Sequence, residues 1–178
     1  MSSVHVKTAL SHKIEVVDNF LPEKVYNHIH DTLSDKKDSP IFPWFYAPIV
    51  TGEQKEDDNS FYFLHLFYAQ DRPQSPFYEL LFPLLEEVNA KALMRVKANL
   101  YPNQGVGVRE HAFHQDFPFK HSGALYSLNT CDGYTRIGDE KIPSVANRII
   151  FFDPSEPHCS TTCSDTKYRM NININYFS

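Results

Sequence analysis

Apolar positions recur along this chain with two different periods. In "PEKVYNHIHDTLSD" Val25, Ile29 and Leu33 stand four apart, the spacing of one helix face, and Pro22 suits the first helical turn. Polar "SDKKDSP" ends that element. "SPFYELLFPLLEEVNAKAL" also reads as helical, with Pro83 marking a kink or a break between two helices. "KIEVVDNFLP" reads as a strand and a turn. "FPWFYAPIV" and "SFYFLHLFYA" are aromatic, β-branched runs of strand character, separated by the charged loop "TGEQKEDDN".

From residue 94 the period shortens to two. "MRVKANLY", "EHAFHQDF", "GALYSLN", "YTRI", "KIPSVA", "NRIIFF", "PHCSTTC" and "YRMNININYF" follow one another, with turn chemistry in "PNQG", "CDGY", "IGDE" and "DPSEP". Regularly spaced short strands predict a sandwich or barrel, of which the jelly roll is the eight-stranded form. The expected class is mainly β (α+β). A jelly-roll core over 94–178 would carry a strand-and-helix flank over 1–93, its helices packed on the outer face, as one domain over 1–178.

Alternation divides the strands into faces. Arg169, Asn171, Asn173 and Asn175 share one side of the last strand, with Met170, Ile172, Ile174 and Tyr176 on the other. Arg95, Lys97, Asn99 and Tyr101 likewise oppose Val96, Ala98 and Leu100. A solvated polar face is the ordinary reading of any one such strand. His114 and Asp116 form a His-x-Asp on a third, flanked by Phe113 and Phe117. If helices cover the apolar faces, all three polar faces line one concave interior.

A His-x-Asp alone is a weak signal. His158, in "EPHCS", offers a second imidazole from a later strand. Two histidines and one carboxylate on one side of an octahedron leave positions open, which suits non-haem Fe(II). Arg169 presents a planar fork to a carboxylate; Asn171 points the same way, and Tyr101 shares the interior with Asn99. His111 has the opposite parity to His114 and His121 follows a turn-like "FPFK", so both read as surface or loop histidines. Arg148 reads as a structural pairing partner. Cys131, Cys159 and Cys163 are too loosely spaced for zinc and read as free thiols.

Composition narrows the setting. Hydrophobic residues make up 42% and aromatics 14%, enough for a packed core. A formal charge of −5 disfavours a nucleic-acid partner without removing a local basic groove. "MSSVHVKTALSHK" lacks the apolar centre of a signal peptide, and no run approaches the roughly 18 apolar residues of a membrane span. With an odd cysteine count, a reducing, cytoplasmic setting is expected.

Taken in order, "VVDNFLPEKVYNHIHD", "LYPNQGVGVREHAFHQDF", "YSLNTCDGYTRI", "NRIIFFDPSEPH" and "YRMNIN" make the chain similar to the Fe(II)/2-oxoglutarate-dependent oxygenases. It most resembles their prolyl 4-hydroxylase-like branch and its small phage and bacterial stand-alone members. The resemblance covers most of the chain. It implies a double-stranded β-helix (jelly-roll) core and Fe(II) held by His114, Asp116 and His158. It also implies 2-oxoglutarate bound at Arg169 with Asn171, Tyr101 and Asn99. The implied reaction consumes O2, releases succinate and CO2, and hydroxylates an unactivated C–H of a small-molecule or peptide substrate. Two positions depart from the pattern: Asn171 stands where many relatives have Ser or Thr, and Ser127 where oxygen-sensing members have Tyr. The branch label alone does not specify a proline substrate. A cupin-like metal enzyme and a jelly-roll binding module that does not use 2-oxoglutarate are the alternative classes.

Overall fold

In the computed structural model the described residues are 14–34, 42–55 and 58–178. The leading "MSSVHVKTALSHK", most of "SDKKDSP" and residues 56–57 of the charged loop lie outside them. Elements follow in the order β1 (Glu15–Val17), α1 (Glu23–Leu33), β2 (Phe45–Ala47), β3 (Tyr62–Ala69) and β4 (Arg72–Pro73). A 3-10 turn (Tyr78–Leu81) then leads into α2 (Phe82–Val88). The remaining strands are β5 (Ala92–Pro102), β6 (Ser122–Ser127), β7 (Tyr134–Ile137), β8 (Glu140–Pro143), β9 (Arg148–Phe152), β10 (His158–Ser160) and β11 (Tyr168–Phe177).

The strands form a large antiparallel sheet, ordered β1-β9-β6-β11-β5-β3-β2 with β4 on β3, and a small one ordered β10-β7-β8. This is the mainly β jelly-roll architecture. Its main core lies between the outer face of the large sheet and the helices. Val96, Ala98, Met170, Ile172 and Ile174 are buried there with Ile29 and Leu33 of α1 and Leu84 of α2. Each fully buried Val, Ile, Leu or Met among them contributes roughly 1.5–3 kcal/mol by leaving water. Pro22 starts α1, its carbonyl accepting from the Val25 and Tyr26 N–H groups. Pro83 lies in the first turn of α2, where its missing N–H costs nothing, so the break it signals falls between the 3-10 turn and the helix.

Asn147 ties the flank to the barrel. It adopts φ 59°, a left-handed conformation Asn tolerates well. Its Oδ1 accepts from Leu21 N (2.9 Å) and Tyr126 OH (2.7 Å), and its Nδ2 donates to Leu21 O (2.8 Å).

Three expectations need correction. Residues 110–117 do not form a strand: their pairing is limited to isolated bridges, Glu110 with Thr161 and His114 with His158. "FPWFYAPIV" supplies only the three-residue edge strand β2, with Phe45 and Tyr46 exposed. The boundary at 93/94 cuts through β5, and β1 to β4 belong to the same large sheet as β11. Pairing partners far apart in sequence decide these points, and local pattern does not carry them.

Candidate metal centre and its cavity

The register of β5 against β11 sets the floor of the site. Arg169 pairs with Tyr101, Asn171 with Asn99, Asn173 with Lys97 and Asn175 with Arg95. The helices cover the opposite, apolar side, so this polar side turns inward. It meets a half-open cavity of about 450 Å³, mouth included. Lys97, Asn99, Tyr101, Asn171 and Asn173 line it, with Val50, Leu125 and Phe152 as apolar wall. Thr135 and Ser160 complete it from the small sheet.

His114, Asp116 and His158 meet in this cavity, their ligand atoms all within 4.8 Å of one another. Backbone bonds hold the convergence: His114 N–H donates to His158 O (2.9 Å), His158 N–H to His114 O (3.0 Å), and Asp116 N–H to Pro154 O (2.9 Å). Pro154 itself sits tight against β6, where a Cβ on Gly123 would stand 2.7 Å from its Cγ. His158 Nδ1 donates to Glu156 O (2.9 Å), which leaves Nε2 as the lone-pair nitrogen.

Electrostatics favour ligand-ready protonation states. Burial, helped by the neighbouring His158, pushes His114 down to about 4, and burial also lowers His158. Both imidazoles are therefore neutral donors. Burial works against the Asp116 anion, but Arg95 leads the nearby groups that hold it down at about 2. Arg95 Nη2 lies 2.9 Å from Asp116 Oδ1, as an ion pair whose N–H groups are not aimed for a hydrogen bond. Asn173 Nδ2 donates to Asp116 Oδ2 (3.0 Å). Lys97 is pushed down to about 8 by burial and by Arg95.

Arg169 occupies the other end of the floor at 1% exposure, behind the cavity-lining Tyr101 and Thr135. Its Nη2 donates to Thr135 Oγ1 (2.7 Å), its Nη1 to Thr161 O (3.3 Å), and its Cζ lies 5.7 Å from the Tyr101 ring centre. Gly133 makes room for it, since a Cβ there would meet Arg169 Cδ at 2.8 Å. Nε is buried without a partner. Burial works against its charge, opposed by Tyr101 and the thiols of Cys131, Cys163 and Cys159, and no carboxylate among the described residues lies within ion-pair distance of it. These thiols are free and buried, and burial lifts Cys159 to about 11, so it supplies no counter-charge. Asn171 Oδ1 accepts from Asn99 Nδ2 (2.9 Å), while Asn99 Oδ1 remains unpartnered. Ser127 is buried and pairs with Asn171 across the sheet.

The residues fit a metal and a dianionic cosubstrate. Two neutral imidazoles and a carboxylate are a donor set for a first-row divalent ion. A buried guanidinium with an open Nε is a receptor for a carboxylate. Two histidines read as surface or loop groups, His111 by strand parity and His121 from the preceding turn, are buried, at 3% and 6% exposure. His111 lies against Tyr101 with ring centres 5.2 Å apart, and its Nδ1 meets Ser160 Oγ at 2.8 Å. Parity fails at His111 because residues 110–117 are not a regular strand. Arg95, Lys97 and Asn173 share the parity of the assigned residues, which was the signal available for them. Arg148 pairs with Asp18 (2.6 and 2.9 Å), a structural contact away from the cavity.

No family model and no curated protein matches the sequence. Solved structures do. A Trichoplax adhaerens prolyl hydroxylase in complex with a hypoxia inducible factor peptide fragment matches at TM-score 0.64 and 16% identity, over 92% of this chain and 83% of that one. A Pseudomonas putida prolyl-4-hydroxylase matches at 0.61 and 14% identity, over 94% of each chain. A Burkholderia pseudomallei oxidoreductase of the 2OG-Fe(II) oxygenase family matches at 0.65 and 11% identity, over 92% and 84%. At such identities the likeness speaks for architecture: the chain has the jelly-roll fold of the 2-oxoglutarate/Fe(II) oxygenases.

Proposed function

We propose that this protein is an Fe(II)- and 2-oxoglutarate-dependent dioxygenase that hydroxylates an unactivated C–H. The observation that carries the reading is Arg169, a buried guanidinium with an open Nε and no carboxylate partner among the described residues, at one end of the floor of the cavity in which His114, Asp116 and His158 meet. A charge is retained in such a place only when something pairs with it. A metal-binding jelly roll that does not use 2-oxoglutarate has no use for it.

His114, Asp116 and His158 would hold Fe(II), which when bound supplies O2 activation coupled to decarboxylation of 2-oxoglutarate to succinate and CO2. Arg169 receives the distal carboxylate of 2-oxoglutarate, with Tyr101, Asn171 and Asn99 as further polar contacts. Neutral imidazoles and an anionic aspartate present lone pairs without first losing protons. Val50, Leu125 and Phe152 keep that side of the cavity dry, which strengthens each charge contact inside it. The substrate is a small molecule or a peptide, with peptidyl proline the first member of a panel because two of the similar structures are prolyl hydroxylases. The net charge of −5 disfavours nucleic acid.

Anaerobic addition of Fe(II) and 2-oxoglutarate should give a weak visible metal-to-ligand band that His114→Ala abolishes. A band that survives the substitution places the iron elsewhere. Succinate release across the panel, with product mass raised by one oxygen, then identifies the substrate.

A further inference from the structure

Asn173, Asn175 and His121 have no task in the reading above, yet they form an unbroken chain of contacts ending on Asp116. Asn173 Nδ2 donates to Asp116 Oδ2 (3.0 Å), Asn175 Nδ2 donates to Asn173 Oδ1 (2.6 Å), and His121 Nε2 lies 2.8 Å from Asn175 Oδ1. His121 Nδ1 in turn lies 2.8 Å from the Phe119 carbonyl. Asn175 is 0% exposed and the Asp116 side chain 4%.

The direction of this chain is fixed from its Asp116 end. A carboxylate only accepts, so Asn173 must turn its amide nitrogen to Asp116 and its oxygen to Asn175. Asn175 must then donate to Asn173 and face His121 with its own oxygen. The Phe119 carbonyl also only accepts. Nε2 of His121 then faces the Asn175 oxygen, and Nδ1 faces the Phe119 carbonyl. Reversing either amide sets oxygen against oxygen in a buried place, which costs about 1–3 kcal/mol.

We propose that Asn173, Asn175 and His121 are positioning residues: a one-way relay that pins Oδ2 of Asp116 and so keeps Oδ1 turned toward the metal position. The proposal rests on the reading of Asp116 as a metal ligand. Oδ1 lies 3.9 Å from His114 Nε2, on the side where the three ligand atoms converge. A carboxylate rotating freely would present its oxygens in turn and would swing away from Arg95. With Oδ2 held by an amide that is itself held, rotation breaks two buried contacts. Asparagines that merely satisfied one another would have no bearing on the metal, and this difference can be measured.

Co(II) titration of Asn173→Leu, Asn175→Leu and His121→Leu, with thermal melting alongside, reads the coupling. Loss of the direct contact in Asn173→Leu should weaken Co(II) by about 10- to 100-fold, the usual effect of removing a ligand's support. Asn175→Leu and His121→Leu, which do not touch Asp116, should weaken it by about 3- to 10-fold with melting retained, the attenuated form of that effect. His121→Gln keeps a donor toward Asn175 and should return to within about 3-fold of wild type. Unchanged Co(II) affinity in the Asn175 and His121 variants overturns the relay. A wild-type protein that takes up no Co(II) overturns the metal reading instead. Independently of metal and of any folding loss in the variants, nitrogen NMR of His121 in the unsubstituted protein should show a hydrogen on Nε2. A bare Nε2 overturns the relay's direction.

Discussion

On one side of the β5–β11 pair, Val96, Ala98, Met170, Ile172 and Ile174 are buried against the helices. On the other side of the same ten-residue strand, Arg169, Asn171 and Asn175 are buried just as deeply. The apolar side is complete, because close packing satisfies every atom on it. The polar side holds two kinds of group. Asn173 and Asn175 are bonded to each other and to their neighbours, whereas Asn99 Oδ1 and Arg169 Nε are buried with no partner, as is Nε2 of His111, which packs on Tyr101 from the 110–117 segment. One side carries the stability of the fold, and the open atoms belong to the other, where the proposed cosubstrate would bind.

Damage to the apolar side should have the largest effect. Phe67 is fully buried in the helix-facing core, and Phe67→Ala should cost about 3–5 kcal/mol in denaturant unfolding. A loss below about 1 kcal/mol would mean the two sides share the load.

Acid should act next, through the polar side. Burial pushes His111 from 6.5 down to about 4, so the unfolded chain takes a proton before the folded one does. Its contribution is complete above the unfolded value and disappears as pH falls from 6.5 toward 4, a change on the order of 3 kcal/mol for a group 3% exposed. His111→Phe should flatten that part of the stability profile. A slope of the same size in the variant would assign it to the other buried histidines.

Arg169→Leu separates the two sides most cleanly. It should weaken 2-oxoglutarate by about 100-fold, as removal of one partner from a buried charge pair does. Co(II) binding should hold, and stability should stay within about 1 kcal/mol or rise, because a buried charge without a counter-ion is being removed. Equal loss of both ligands would indicate damage to the fold. The smallest effect belongs outside the comparison: Arg148→Ala removes a partly exposed pair with Asp18 and should cost about 0.2–1 kcal/mol.

Alternation made much of this legible in the sequence. Parity along "YRMNININYF" and "MRVKANLY" separated the cavity floor from the core, because β5 and β11 are long, regular and paired in register over most of their length. The two helices and the break at Pro83 were equally readable, being local. The same rule misassigned His111, since parity means nothing in a segment joined to its neighbour by single bridges. His121 was out of reach for a related reason: its partner Asn175 is 54 residues away, and only the folded sheet brings them together. Arg95 was on the correct face but unassigned, because its pairing with Asp116 depends on where an irregular loop crosses the sheet.

The bare α-carbon at position 123 has a bearing on which ion the centre would accept. Pro154 can nestle against it only because nothing larger than hydrogen projects there, and the carbonyl of that proline fixes the backbone of Asp116. An alanine methyl would act as a shim, backing the 153–157 turn away from the sheet and dragging the aspartate with it, while His158 follows at the end of the same turn. The spacing of the three side chains that would hold the ion thus depends in part on a residue with no side chain at all.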